Sequence, residues 1–146
     1  MKRCLIFIAP SAIAAQVSGR TYLFPTNARN IDAVTMEFKG KDATLVVRSL
    51  GQDYRIACGS GVWKEERTAF TAGVDSWVAA PVEQPVAASG AWTADDTYTV
   101  KLAYYETPLA ITFTCRFAGD RVLLLNVEYS VNFGPTNPPL LVGEAR

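Results

Sequence analysis

The chain has 146 residues, carries 14 Lys and Arg against 14 Asp and Glu, and contains no histidine. That length is one ordinary domain able to bury roughly 70% of its unfolded surface, and 49% apolar with 19% charged residues is a globular balance. Zero net charge removes the footprint that nucleic acid or an anionic membrane needs, and missing histidine excludes Ser-His-Asp and Cys-His catalysis, histidine zinc sites and histidine pH switches.

Residues 1–17 support two readings. Lys2-Arg3, the apolar run Cys4 to Ala9 and then Ala12-Ile13-Ala14 follow the layout of a secretory signal peptide, which would place the protein in a periplasm or outside the cell. Pro10 cuts that run short, so a linker or docking strand is the favoured expectation, and a cytoplasmic location stays open. No stretch approaches the roughly 18 apolar residues of a membrane span.

From residue 18 to 146 the period is two, and a single antiparallel β-domain is expected there. Thr21–Phe24 opens it. Val34, Met36 and Phe38 alternate with Thr35 and Glu37 until Gly40, and Asp42 to Leu50 follows, closed by Gly51. Tyr54, Ile56 and Cys58 share a face up to Gly59-Ser60-Gly61. Shorter strands are expected near Trp63–Thr71 and Val86–Thr93. Tyr98, Val100, Leu102 and Tyr104, then Leu109 to Phe117, then Leu123 through Phe133 continue the alternation. Each run is rich in β-branched and aromatic residues and bounded by turn residues such as Ala94-Asp95-Asp96 and Ala118-Gly119-Asp120. The pattern predicts an all-β fold, an antiparallel eight- to nine-stranded barrel or a strongly curved sandwich.

Ala72 to Ser89 breaks the rhythm. Pro81 and Pro85 remove ladder donors, so part of it is expected as loop or edge, and such a loop often serves as lid or partner surface. Gly134 to Pro139 is expected to strap across the domain in extended form.

Catalytic motifs are missing. There is no Ser-x-x-Lys, no Lys-Thr-Gly and no Gly-x-Ser-x-Gly, and Ser60 and Lys64 are one residue too far apart. Cys58-Gly59-Ser60-Gly61 reads as a hairpin turn. Glu65 and Glu66 point to opposite faces of a strand, and Asp95-Asp96 sits in a turn. No calcium loop occurs. Cys4, Cys58 and Cys115 lack metal-ligand spacing, and Cys58 and Cys115 fall in apolar runs where buried thiols are expected ahead of a disulfide. No cofactor and no metal is expected. Arg48, Arg55, Lys101, Arg116 and Glu128 lie on polar strand faces, as a solvated surface or, alternatively, a carboxylate-binding patch.

The aromatic residues are the candidate contacts. Trp63, Trp77, Trp92, Tyr104 and Tyr105 are the residues expected to meet a ligand or a partner, lining a barrel mouth or a protein contact. Core packing is the default for Trp63 and Trp92, and Trp77, in the Ala/Pro stretch, is expected at an interface. Gly61-Val62-Trp63 and Gly90-Ala91-Trp92 are similar to the Gly-x-Trp of lipocalins, although there it lies near the chain start.

The ordered set Ser18-Gly19-Arg20-Thr21-Tyr22 with Asn27, Gly90-Ala91-Trp92-Thr93, Tyr104-Tyr105-Glu106-Thr107-Pro108 and Phe133-Gly134-Pro135 resembles the C-terminal module of serine hydrolases of the β-lactamase and penicillin-binding-protein-like family. The likeness runs from about Val17 to Gly143. It implies a lipocalin-like antiparallel barrel acting as a non-catalytic accessory domain that packs on a hydrolase catalytic domain or shapes its cleft. The family's catalytic serine and lysine belong to the preceding domain, so no catalytic residue carries over. The alternative is a stand-alone lipocalin-like binder of a small apolar ligand. Composition and motifs argue against an enzyme, and the sequence leaves the oligomeric state open.

Overall fold

Where β-branched and aromatic residues alternate with Thr, Arg and Glu, one face of an extended chain can be buried while the other stays wet. The computed structural model describes residues 12–27, 29–40, 42–70, 83–105, 109–130 and 140–146. It turns that alternation into a short helix, α1 (Ala12–Val17), and ten strands. These are β1 (Thr21–Leu23), β2 (Ile31–Lys39), β3 (Asp42–Ser49), β4 (Gln52–Ser60), β5 (Lys64–Thr68), β6 (Gln84–Ala94), β7 (Thr97–Ala103), β8 (Ala110–Ala118), β9 (Val122–Tyr129) and β10 (Leu141–Ala145).

The strands form one sheet in the order β4-β3-β2-β1-β10-β9-β8-β7-β6-β5, with a further pairing of β4 to β6. That pairing is parallel, Gly59 opposite Ser89 and Ser60 opposite Gly90, while every other ladder is antiparallel. The sheet therefore closes into a nine-membered ring, with β5 lying along the same edge of β6. The all-β antiparallel barrel expected from the period-two pattern, lipocalin-like in form, is the observed fold. Closure removes the exposed edges on which an open sheet aggregates.

Between β4 and β5 there is no ladder. The wall is bridged there by a side chain, the Glu66 carboxylate accepting a hydrogen bond from the Ala57 amide.

The inward positions are apolar from strand to strand: Val34 and Met36, Leu45 and Val47, Ile56 and Cys58, Val86 and Ala88, Val100 and Leu102, Ile111 and Phe113, Leu123, Leu125 and Val127, all buried. Burying a side chain of this kind contributes about 1.5–3 kcal/mol, so the inner wall is the main source of stability.

The barrel has two unlike ends. One carries α1, which packs Ala14 and Val17 against the core, together with the turns at Gly40, Asp95-Asp96 and Gly119-Asp120. Residues 12–17, which the sequence suggested as linker, are thus helical and packed, tied to β2 by Gly19 N–H to Met36 O at 2.9 Å. The opposite end carries the Leu50-Gly51 turn and residues 24–27 and 29–30, and β5, β7 and β9 end there. Leu50 and Gly51 both take positive φ, 53° and 80°, the pair of values a tight hairpin of matching twist requires. β6 begins earlier than expected, at Gln84, and includes a buried Pro85. A proline at the second residue of a strand interrupts the ladder little.

Candidate ligand chamber

Each end of the barrel interior has its own chemistry. At the helix end aromatic rings from opposite walls meet across the middle. Phe38 of β2 lies 5.1 Å from Trp92 of β6 and 5.0 Å from Tyr98 of β7, and Trp92 lies 5.2 Å from Tyr98. Trp92 continues to Phe117 at 6.1 Å, and Phe117 to Tyr22 at 5.9 Å. Such tilted and edge-on pairs hold the walls together beyond their buried area. The Tyr98 hydroxyl is buried without a hydrogen-bond partner. It presses on β6 where Gly90 has no side chain; a Cβ there would stand 2.6 Å from it.

Two thiols line this half. Cys58 and Cys115 are free, buried and directed inward. Burial pushes both up to about 12 from 9.0, so they stay protonated and act as small apolar groups.

At the opposite end the inner wall turns polar. Ser49, Thr68, Gln84 and Arg29 are the buried polar residues among those described, and all four lie there. Arg29 gets there through local sequence. The Asn27 side chain accepts hydrogen bonds from the amides of Arg29 and Ile31 at 3.0 and 3.2 Å and donates to Pro25 O and Ile31 O at 2.8 Å each. This Asx turn, with Asn30 at φ 56°, fixes the backbone at Arg29 and Ile31 where the chain enters β2. The Arg29 guanidinium then lies 4.3 Å from the ring centre of Tyr129, the last inward residue of β9. Burial raises the Tyr129 hydroxyl to about 12, an effect that Arg29 moderates.

Phe70, just past β5, reaches into this half. Its ring lies 5.5 Å from Tyr54 and 6.0 Å from Phe113. Its carbonyl accepts from the Tyr104 hydroxyl, and its amide donates to Thr68 Oγ1 at 3.1 Å. Burial raises Tyr104 well above its ordinary value.

The five aromatic residues singled out from the sequence separate. Trp92 and Tyr104 are buried inside, on the two halves of the chamber. Trp63 and Tyr105 are on the outside, each 55% exposed, and Tyr105 donates to Glu65 at 3.2 Å. The expectation that Trp63 packs in the core therefore fails, because the turn after Gly61 breaks the strand phase. Trp77 lies outside the described residues, as do Pro81 and the 134–139 strap. The suggested carboxylate-binding patch is largely committed: Arg48 pairs with Asp53 at 2.8 Å, Arg55 with Glu37 at 2.7 Å and Arg116 with Asp96 at 3.4 Å. Arg29 was missed, since one arginine in a short connection gives no periodic signal.

No family model and no curated protein matches the sequence. Solved structures do match. A Schistosoma mansoni fatty acid binding protein in complex with arachidonic acid superposes with a TM-score of 0.59 at 10% identity, covering 92% of this chain and 98% of the other. The fold is a lipocalin-like calycin barrel. The fatty acid-binding protein of Drosophila melanogaster brain gives 0.57 at 13% identity over 89% of this chain and 99% of the other, and human cRBP IV gives 0.52 at 15% over 89% and 96%.

These matches correct the hydrolase reading. The barrel accounts for nearly the whole of each neighbour, and the neighbours are stand-alone binding proteins rather than modules trailing a serine hydrolase. Several residues that carried the resemblance have structural work in this barrel: Ser18 Oγ accepts from the Phe38 amide, the Tyr22 hydroxyl donates to Asp120 O, Asn27 forms the Asx turn and Gly90 makes room for Tyr98. A β-lactamase-related accessory role and a hydrolase partner are both withdrawn.

Proposed function

We propose that this protein is a stand-alone binder of a small apolar molecule, taken into the barrel with its polar end at the mouth beside Arg29 and its apolar part toward the aromatic cluster. The observation that carries this is the gradient along the inner wall: Arg29, Ser49, Thr68 and Gln84, the buried polar residues among those described, all lie at one end of a wall that is otherwise lined by apolar and aromatic side chains. A wall of this kind offers no hydrogen bonds to a polar solute and favours apolar surface in proportion to the area buried. The neighbours named for fatty acids support the same ligand class. Phe70 occupies the half of the chamber nearest the mouth, so an entering chain has to pass or displace it.

The test is a titration of delipidated protein with a dansyl-labelled fatty acid, followed by competition with oleate and with glucose. One-to-one saturable binding, displaced by oleate and untouched by glucose, is expected. Val127→Trp, which fills the inner wall, is expected to reduce it about tenfold or more while the barrel's circular dichroism is retained. Absence of saturable binding, or binding unchanged in a folded Val127→Trp protein, would overturn the reading.

A further inference from the structure

Trp63 was not absorbed by the chamber, and it forms part of a second concave site on the outer wall. Trp63, Ser89, Gly90, Ala91, Thr93, Thr99 and Lys101 enclose an open groove of about 220 Å³ on the outward face of β6 and β7.

The groove is built rather than incidental. The turn carrying Trp63 is tight, since a Cβ on Gly59 would stand 2.3 Å from Val62 O. Gly61, at φ 70°, donates from its amide to Gly90 O at 3.3 Å, which pins the turn onto β6. The outward residues of β6 and β7, Ala91 and Thr99 among them, form the floor beside the Gly90 backbone, with Trp63 and Lys101 also lining the groove.

The hydroxyls around it are already used. Thr93 and Thr99 hydrogen-bond each other at 3.0 Å, and Ser89 donates to Gly59 O at 3.4 Å. Lys101 forms no ion pair with any described residue. We infer that this groove is a second binding site, for a small planar aromatic acid whose ring stacks on Trp63 over the Gly90-Ala91 floor while its carboxylate meets the Lys101 ammonium. A sugar fits the chemistry less well, since its hydroxyls would lose water without finding free partners, whereas a flat ring needs only the stacking face. The site is independent of the chamber and of its ligand.

The test uses 2-naphthoate as probe, with the neutral 2-naphthylmethanol and glucuronate as comparison arms, read by 15N-resolved NMR on the full chain. Expected are shifts of the Trp63 indole N–H and of the Ala91 and Lys101 amides on adding naphthoate. Trp63→Ala should weaken binding about tenfold or more. Lys101→Gln should weaken naphthoate roughly threefold to fivefold, the scale of an exposed ion pair, and leave naphthylmethanol unchanged. Both positions are exposed, so the barrel should fold in either variant. Saturating oleate should leave naphthoate at Trp63. Displacement by oleate, shifts confined to inward residues, affinity unaltered by Trp63→Ala, or glucuronate binding in naphthoate's place would each overturn the assignment.

Discussion

The two ends of this barrel are made from the same strands and differ in what closes them. At the helix end, turns of a few residues and α1 bring Phe38, Trp92, Tyr98, Phe117 and Tyr22 into one ring-to-ring cluster. At the opposite end Phe70 is the interior ring supplied by the segment after β5, and Arg29, Ser49, Thr68 and Gln84 surround the mouth. The first arrangement maximises apolar contact between walls, which suits stability. The second sets polar groups at the rim of an apolar interior, the arrangement that the proposed exchange of a small molecule with water would use. One sheet thus divides its labour along the barrel axis.

That division can be broken most sharply at Trp92. Trp92→Ala removes the ring shared by three of the helix-end contacts and should cost about 3–5 kcal/mol, measured by urea unfolding. A loss under about 1 kcal/mol would mean that the cluster does not hold the barrel shut. Alkaline melting probes the same half. Cys58 and Cys115 have folded values raised to about 12 from 9.0, so the folded state holds these protons more tightly than the unfolded one. Their contribution is complete below pH 9 and is lost as pH rises toward 12. The melting temperature should fall through that window, and the fall should be shallower in the Cys58→Ala, Cys115→Ala double variant. At the mouth, Thr68→Val removes the acceptor for the Phe70 amide and should cost only about 1 kcal/mol. By releasing Phe70 it should also speed ligand association in stopped-flow mixing. If Thr68→Val instead proves as damaging as Trp92→Ala, the two ends are not energetically distinct.

Much of the barrel was legible because burial imposes a period of two. Leu123, Leu125, Val127 and Tyr129 alternate with Asn126 and Glu128, and they line the interior as the alternation requires. The start of β6 was harder, since Pro85 usually speaks against a strand, yet Gln84, Pro85 and Val86 are buried in one. The chamber was legible as a class and not in detail. Its polar rim depends on which strand ends meet after closure, and no local pattern records that. Asn27 was the available clue to Arg29: an Asx-forming residue two positions ahead of an arginine. Trp63 misled because a residue's face can be counted only while the strand is unbroken. The serine hydrolase resemblance misled for a related reason. Ser18, Tyr22, Asn27 and Gly90 of its short motifs close turns and fit rings in this barrel, and packing demands of that kind arise without common ancestry.

The seam between β4 and β5 carries a consequence for how the barrel breathes. Elsewhere, parting two neighbouring strands breaks a run of backbone hydrogen bonds, so such openings approach the cost of global unfolding. Along β4 before Gly59, the described link to β5 is the Glu66 carboxylate on the Ala57 amide. A crack started there loses that side-chain bond and the Tyr54–Phe70 ring contact, and need travel only as far as the short parallel clasp at Gly59 and Ser60. The amides of β4 facing the seam should therefore exchange with solvent ahead of those in the β8–β9 ladder. The weakest line in the wall is then a lengthwise one, beginning at the mouth and stopping short of the aromatic cluster.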